Sequence, residues 1–212
     1  MSTISVETLE LLASKICHDL ISPIGAVNNG LEIFSELGPD AGEEVSELIA
    51  HSASQASAKL KAFRLAYGAG GADGNIKPAD VYTAIEDIVV YDGKITQNWQ
   101  PGDAIARELP PKAFCKILTS ALMLAKDCLP KGGELAVSND GEHTFIHATG
   151  MDARAKEGVQ ACLSLQMPQE DLTPALMHAY VTGLLAGHYG YTIETDQPED
   201  GLVRFTISLP DF

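Results

Sequence analysis

A histidine followed at once by an acid lies in the middle of a long helical pattern, with a proline five residues after the histidine. These residues are His18, Asp19 and Pro23. A neutral imidazole is a nucleophile near neutral pH, and an adjacent carboxylate can hold one ring nitrogen protonated. Pro23 has no N–H for the carbonyl of Asp19, and its ring crowds that carbonyl. We therefore expect the helix to kink one turn past His18.

The spacing of the apolar residues decides which way His18 points. They recur mostly every three or four positions and form one stripe: Leu9, Leu12, Ile16, Leu20, Val27, Leu31 and Phe34. His18 lies about 200° around the helix from Ile16 and Leu20 and therefore points away from this stripe. A second, polar stripe shares its face: Lys15, Ser22, Gly25, Asn29 and Glu32. On spacing alone, a solvated helix face carrying a histidine without a role is the more common interpretation.

Composition excludes several classes of partner. The chain has 212 residues and a formal charge of −15, from 29 acids and 14 bases. Such a surface disfavours nucleic acid and anionic membranes, both of which require basic patches. No signal peptide is recognisable, and no apolar run approaches the ~18 residues that span a bilayer. The four cysteines are scattered and form no CxxC, so we expect reduced thiols and a cytoplasmic protein.

The other histidines offer no comparable site. His51 is followed by neither an acid nor a proline. His143 and His147 would share one face of a strand, but a metal site needs at least one more ligand, and nothing nearby has such a signature. We therefore expect no metal site in this chain.

The first third of the chain predicts a helical hairpin. One helix should run from Ser5, its N-cap, to residue 36. A second should begin with a capping box at Asp40 and reach residue 67. A lone hairpin shields only one side of each helix, whereas two chains would close a four-helix bundle. We therefore expect a homodimer through residues of about 1–70. The alternative is that the hairpin packs on its own C-terminal domain.

Residues 68–74 are rich in glycine and predict a linker. Beyond them helices and strands alternate. Helices are predicted at 79–90, 111–129, 158–165 and 173–188, the last with Thr173 as its N-cap, and strands at 94–99, 134–137, 143–148, 191–195 and 202–209. The pattern predicts an α+β fold in which a two-layer sandwich, residues 75–212, follows the hairpin domain, residues 1–70.

The segment 18–23 resembles the phosphoacceptor box of sensor histidine kinases. In that box a histidine, an acid and a proline lie on the first helix of a dimeric bundle. The longer run 17–32, with Asn-Asn-Gly at 28–30, is more similar to the ChpT family of histidine phosphotransferases. The late helical segment 175–187 strengthens this resemblance, which covers essentially the whole chain.

The resemblance implies that the second domain is a degenerate form of the kinase ATP-binding domain. Where those kinases use an Asn to hold Mg²⁺, this chain has Leu124. The loop that reads adenine corresponds to residues 147–154, which contain one glycine and no Asp-x-Gly. The second glycine-rich box is reduced to Gly183 and Gly187 in an apolar helix. We therefore expect no ATP binding.

The resemblance implies a protein that takes a phosphoryl group from an aspartyl phosphate on one receiver domain, holds it on the histidine and passes it to an Asp of another receiver. The implied partners are the receiver domain of a hybrid histidine kinase and the receiver domains of response regulators. The resemblance implies that Nε2 of His18 attacks, while Asp19 accepts a hydrogen bond from Nδ1–H. Lys15 would neutralise the phosphoryl oxygens, and Ser22 would hydrogen-bond them or position water. We expect Mg²⁺ to arrive with the receiver, so that the chain needs no cofactor of its own.

Docking of the receiver would use Gly25, Asn29 and Glu32 beside His18. Two other functions remain open from the sequence. One is an ATP-dependent sensor-type histidine kinase, which requires nucleotide binding. The other is a non-catalytic dimeric adaptor that binds response regulators, in which His18 has no role.

Overall fold

The computed structural model describes residues 5–69, 75–107 and 109–210. Most of the predicted linker, residues 70–74, lies outside the described residues. The helices are α1 (Val6–Leu37), α2 (Gly42–Tyr67), α3 (Pro78–Asp92), α4 (Phe114–Asp127), α5 (Val159–Leu163) and α6 (Met177–Tyr189). The strands are β1 (Ile95–Gln97), β2 (Gly133–Asn139), β3 (His143–Thr149), β4 (Thr192–Glu199) and β5 (Leu202–Ser208). The predicted α+β class is confirmed.

Helices α1 and α2 form the predicted hairpin. The hydroxyl of Ser5 accepts a hydrogen bond from the backbone N–H of Thr8 at 3.2 Å, which caps α1 as expected. The helix then continues through Pro23 without interruption. The capping box predicted at Asp40 is wrong. Residues Gly38–Ala41 form a 3₁₀ helix, and Gly42, at φ +78°, is both its C-cap and the first residue of α2.

The sheet has the order β1-β2-β3-β5-β4, and only the β1–β2 pair is parallel. Alternate residues of β2, β3 and β5 are buried, as expected for strands with one covered face. The large apolar side chains on that face include Leu135, Ile146 and Phe205. They belong to one core with the apolar residues of the helices, which makes this part of the chain a two-layer sandwich.

The hairpin is joined to the sandwich at one end. Leu11, Leu12 and Tyr67 pack against the core of the second domain. The buried side chain of Lys116, on α4, donates to the carbonyls of Ala66 and Gly68 at 3.1 and 2.7 Å. An ammonium group at a helix C-terminus satisfies orphaned carbonyls and complements the helix dipole. These contacts fix the end of α2 on α4.

The other end of the hairpin is uncovered. Several apolar side chains there are exposed: Ile24, Leu31, Phe34, Leu37 and Leu48. Leu31 and Phe34 belong to the stripe that the sequence predicts to face a core, and they are 51% and 46% exposed. Within one chain, α2 covers a neighbouring face instead, where Pro23 and Gly30 are buried.

Helix α6 begins at Met177, so the N-cap predicted at Thr173 is wrong. The carbonyl of Thr173 instead accepts the N–H of Leu176 in a preceding turn. Most of α6 is buried, and a Cβ at Gly183 would lie 2.5 Å from the carbonyl oxygen of Leu163. Gly183 therefore lets α6 approach the backbone at the end of α5.

Gly183→Ala and Gly187→Ala should have opposite effects on stability. Because the Cβ at residue 183 would meet backbone, we expect a loss of about 1–3 kcal/mol in the free energy of unfolding. A Cβ at Gly187 meets nothing within 4 Å, so alanine there should add about 0.5–1 kcal/mol through helix propensity. Urea denaturation measures both. Equal effects of the two variants would contradict this packing.

Candidate functional site

His18 lies on the solvent side of α1, with 84% of its side chain exposed. Its Nδ1 is 3.3 Å from Oδ1 of Asp19, and within the described residues this is the only hydrogen bond of the ring. If Nδ1 carries the proton and donates to the carboxylate, Nε2 keeps its lone pair. In that tautomer the lone pair of Nε2 faces solvent, since 84% of the side chain is exposed.

Asp19 contacts charged groups on both sides of the hairpin. Nζ of Lys15, one turn earlier, lies 2.9 and 2.7 Å from the two carboxylate oxygens. Nζ of Lys59, on α2, donates to the backbone carbonyl of Asp19 at 3.0 Å. Burial opposes ionisation of the carboxyl. The hydrogen bond and charge of Lys15, the hydrogen bond to His18 and the charge of Lys59 nevertheless hold its pKa below the usual value.

Two observations about the lysines go beyond the sequence. Lys15 was expected to contact phosphoryl oxygens, and in the structure it pairs with Asp19; its phosphoryl contact stays a prediction. Lys59 was not identified as a site residue. The only sequence signal for it is Pro23, which leaves the Asp19 carbonyl without its helical donor but does not reveal which side chain replaces that donor.

The polar stripe beside His18 is open. Ser22, Asn29 and Glu32 are exposed. A Cβ at Gly25 would meet nothing within 4 Å, whereas one at Gly30 would collide with Ile49 of α2. The first glycine therefore leaves room on the outer face, and the second lets the two helices approach. The predicted site residues lie along one side of α1, where His18, Ser22, Asn29 and Glu32 are exposed and Lys15 and Asp19 are half-buried.

A cavity of about 160 Å³ lies behind Asp19, between the hairpin and the second domain. Its walls include Asp19, Lys59, Tyr67, Asp127 and His178. Burial lowers the pKa of His178 to about 4, which keeps the ring neutral, and Nε2 has no hydrogen-bond partner in the described structure. The ring packs edge-on against Tyr67, with centroids 5.7 Å apart. Asp127 and His178 of the second domain thus line the cavity directly behind Asp19.

The remaining candidates offer no alternative centre. Within residues 5–69, 75–107 and 109–210, no three His, Cys, Asp or Glu side chains are grouped to hold a metal ion. His143 and His147 stack on either side of Phe145 along β3. His51 packs edge-on against Tyr91. No described helix is long and apolar enough to cross a membrane.

Leu124 and Gly183, at which the sequence resemblance implies that a nucleotide site is lost, are both buried. Leu124 is buried on α4 and has no atom that could hold a metal. Gly183 lies against the carbonyls of Cys162 and Leu163, so the helix that contains it cannot act as a loop over phosphates.

Comparisons with known proteins agree with this arrangement. A family described as "Histidine phosphotransferase C-terminal domain" matches residues 78–201. The protein phosphotransferase ChpT of Brucella abortus (strain 2308) is 35% identical over 198 residues, which is 91% of each chain. A solved bacterial phosphotransferase aligns over 98% of both chains with a TM-score of 0.80 and 32% identity. The histidine kinase AdeS of Acinetobacter baumannii is more distant, at 17% identity and a TM-score of 0.47.

Asp19→Asn should destabilise the protein in a pH-dependent way. Because folding lowers the pKa of Asp19, the ionised form stabilises the fold above its ordinary pKa of about 3.9. That contribution is lost as the pH falls through the lowered value. We expect a loss of about 1 kcal/mol in unfolding free energy at neutral pH, shrinking towards zero in acid. Urea denaturation across a pH series measures it.

The matched control for this experiment is Asp40→Asn, at an exposed carboxyl in the hairpin turn. Its unfolding curve should coincide with that of the wild type at every pH. A destabilisation by Asp19→Asn that is the same at all pH values would contradict the ionic contact with Lys15.

Proposed function

Because the chain belongs to the ChpT-like histidine phosphotransferase family, we propose that it carries a phosphoryl group between receiver aspartates on Nε2 of His18. The observation that carries this proposal is the exposed His18 ring, whose Nδ1 faces the Asp19 carboxylate at 3.3 Å. Family membership makes the protein a phosphotransferase of a phosphorelay. It favours neither the kinase nor the adaptor alternative.

In each half-reaction of the proposed transfer, the bond that forms is matched by a bond that breaks. The lone pair of Nε2 attacks the phosphorus of an aspartyl phosphate, an N–P bond forms, and the P–O bond to the receiver carboxylate breaks. The imidazole becomes cationic, and its Nδ1–H proton stays hydrogen-bonded to Asp19, which stabilises the new charge. The reverse attack by an aspartate of a second receiver restores neutral His18. The protein contributes orientation and electrostatics, the main requirements of phosphoryl transfer.

The partner surface follows from what is open beside His18. We propose that a receiver domain docks on the stripe of Gly25, Asn29 and Glu32 and brings Mg²⁺ on its own carboxylates. Ser22, one turn after His18, is exposed and in reach of a phosphoryl group on that face. The second domain would act without a nucleotide, because Leu124 and the packed helix around Gly183 replace the groups that would hold one.

Replacement of His18 by Ala should abolish phosphoryl acceptance without unfolding the protein, because the side chain is exposed. The measurement is transfer of radiolabel from a phosphorylated receiver domain to the wild type, to His18→Ala and to His51→Ala. We expect acid-labile, base-stable label on the wild type and on His51→Ala only, and none from ATP and Mg²⁺ alone.

Other outcomes of this experiment would be equally clear. Label on His18→Ala would show that a residue other than His18 carries the phosphoryl group. Label from ATP alone would revive the kinase alternative. Absence of label from several cognate receivers, with binding retained, would leave the adaptor.

We also propose that the uncovered end of the hairpin forms a homodimer. Ile24, Leu31 and Phe34 are spaced by seven and three residues, which puts them on one side of α1. All three are exposed in the single chain. Exposed apolar stripes of this kind indicate a protein interface. A second hairpin laid against this stripe would complete a four-helix bundle and leave the His18 face free.

A double variant, Leu31→Glu with Phe34→Glu, should therefore dissociate the dimer, since it places charges in the proposed apolar interface. Analytical ultracentrifugation should give twice the chain mass for the wild type and the single-chain mass for the variant. Val90→Glu, at a 60% exposed valine of α3, is the control and should remain dimeric. A wild type that sediments as a single chain at all concentrations would refute the interface.

A further inference from the structure

The hydrogen-bond ladder of α1 has a gap one turn after His18. In an α-helix the carbonyl of residue i accepts from the N–H of residue i+4. The residue four after Asp19 is Pro23, which has no N–H. Nζ of Lys59 fills this gap from the neighbouring helix, at 3.0 Å from the Asp19 carbonyl oxygen. A side chain of α2 thus replaces a backbone donor of α1.

This position is an unfavourable one for a lysine. Lys59 is half-buried, and burial lowers its pKa. Lys15 and Lys126 lower the pKa further by like-charge repulsion, while Asp19 and Asp127 raise it. No carboxylate is within salt-bridge distance of Lys59 among the described residues. The charges of Asp19 and Asp127 offset part of the burial, and the one hydrogen bond that Lys59 makes among the described residues is to the orphaned carbonyl. That bond is stronger than a neutral one because its donor is charged.

We propose that Lys59 is a positioning residue that holds Asp19, and through it the His18 ring, in the geometry for phosphoryl transfer. This inference rests on the proposed role of His18. Asp19 is fixed at two points: Lys15 holds its carboxylate and Lys59 holds its carbonyl. The carboxylate oxygen that faces His18 lies between these anchors, so movement of the backbone at Asp19 shifts the contact that sets the imidazole tautomer.

A double-mutant cycle between Lys59 and Pro23 tests the inference directly. Lys59→Met keeps the aliphatic stem but leaves the carbonyl without a donor. Pro23→Ala supplies a backbone N–H that can bond to the same carbonyl, so Lys59→Met should be nearly harmless in that background. We expect Lys59→Met to lower the urea midpoint clearly in the wild type and far less in Pro23→Ala. Because the effect of Lys59→Met is measured within each background, the loss of stability caused by removing the proline ring cancels out of the comparison.

The same four proteins should show the coupling in function. Lys59→Met should slow transfer from a phosphorylated receiver by about tenfold, the kinetic equivalent of one charged hydrogen bond. In the Pro23→Ala background it should slow transfer by no more than about twofold. Lys59→Arg, which keeps a cationic donor, should retain most of the wild-type rate.

Titration of the Asp19 carboxyl by carbon NMR separates the positioning role from general stability. Lys15, His18 and Lys59 contact this residue, and Lys126 and Asp127 face the cavity behind it. Without the charge of Lys59 the pKa of Asp19 should rise in both backgrounds, while Lys59→Arg leaves it unchanged. Because the charge of Lys59 acts on the Asp19 carboxyl with or without the hydrogen bond, this titration reports the electrostatic link between the two residues, and the urea cycle reports the hydrogen bond.

Equal effects of Lys59→Met on the urea midpoint in the two backgrounds would overturn the inference, as would an unchanged Asp19 titration. The unfolding and NMR measurements need no phosphoryl transfer. If they show the coupling while His18→Ala still accepts phosphate, the proposed function fails and the link between Lys59 and Asp19 stands.

Discussion

The constraint on which the site depends is the missing backbone donor at Pro23. It leaves the carbonyl of Asp19 without an intrahelical partner, and an unsatisfied carbonyl in a half-buried position is costly. Lys59 satisfies it from α2, so the two helices of the hairpin are tied together within one turn of His18. Lys15 binds the carboxylate of the same residue. The exposed histidine therefore stands beside a residue that is held on both sides.

The hairpin has two ends with different roles. At one end, Lys116 and the apolar contacts of Tyr67 anchor it to the second domain. At the other end apolar side chains are left in solvent, a pattern that a second chain would complete. Between the two ends lies the open polar face of His18, which neither the sandwich nor the proposed dimer contact covers. On the functions proposed above, this separation would let one short domain serve assembly, docking and chemistry.

The second domain is closely packed at the positions where the sequence resemblance implies that a nucleotide site is lost. Leu124 is buried in α4, and Gly183 lets α6 pack against the backbone at the end of α5. Burial of Leu124 in this core contributes to the stability of the sandwich. The second domain contacts one end of the hairpin and places Asp127 and His178 in the cavity behind Asp19.

The sequence by itself determined the local elements and the face on which His18 lies, because the helical period and the residues that interrupt it are local properties. It predicted the hairpin, the alternating second domain and the open stripe from Ser22 to Glu32. It misplaced the starts of α2 and α6, where a 3₁₀ turn and a non-helical turn take up the residues that resemble caps. Only the tertiary structure decided that Lys59 reaches Asp19, that Lys15 binds the carboxylate and that His178 is buried behind them. These contacts join residues distant in the chain or select one of several side-chain orientations, and the packing of the helices against one another fixes both.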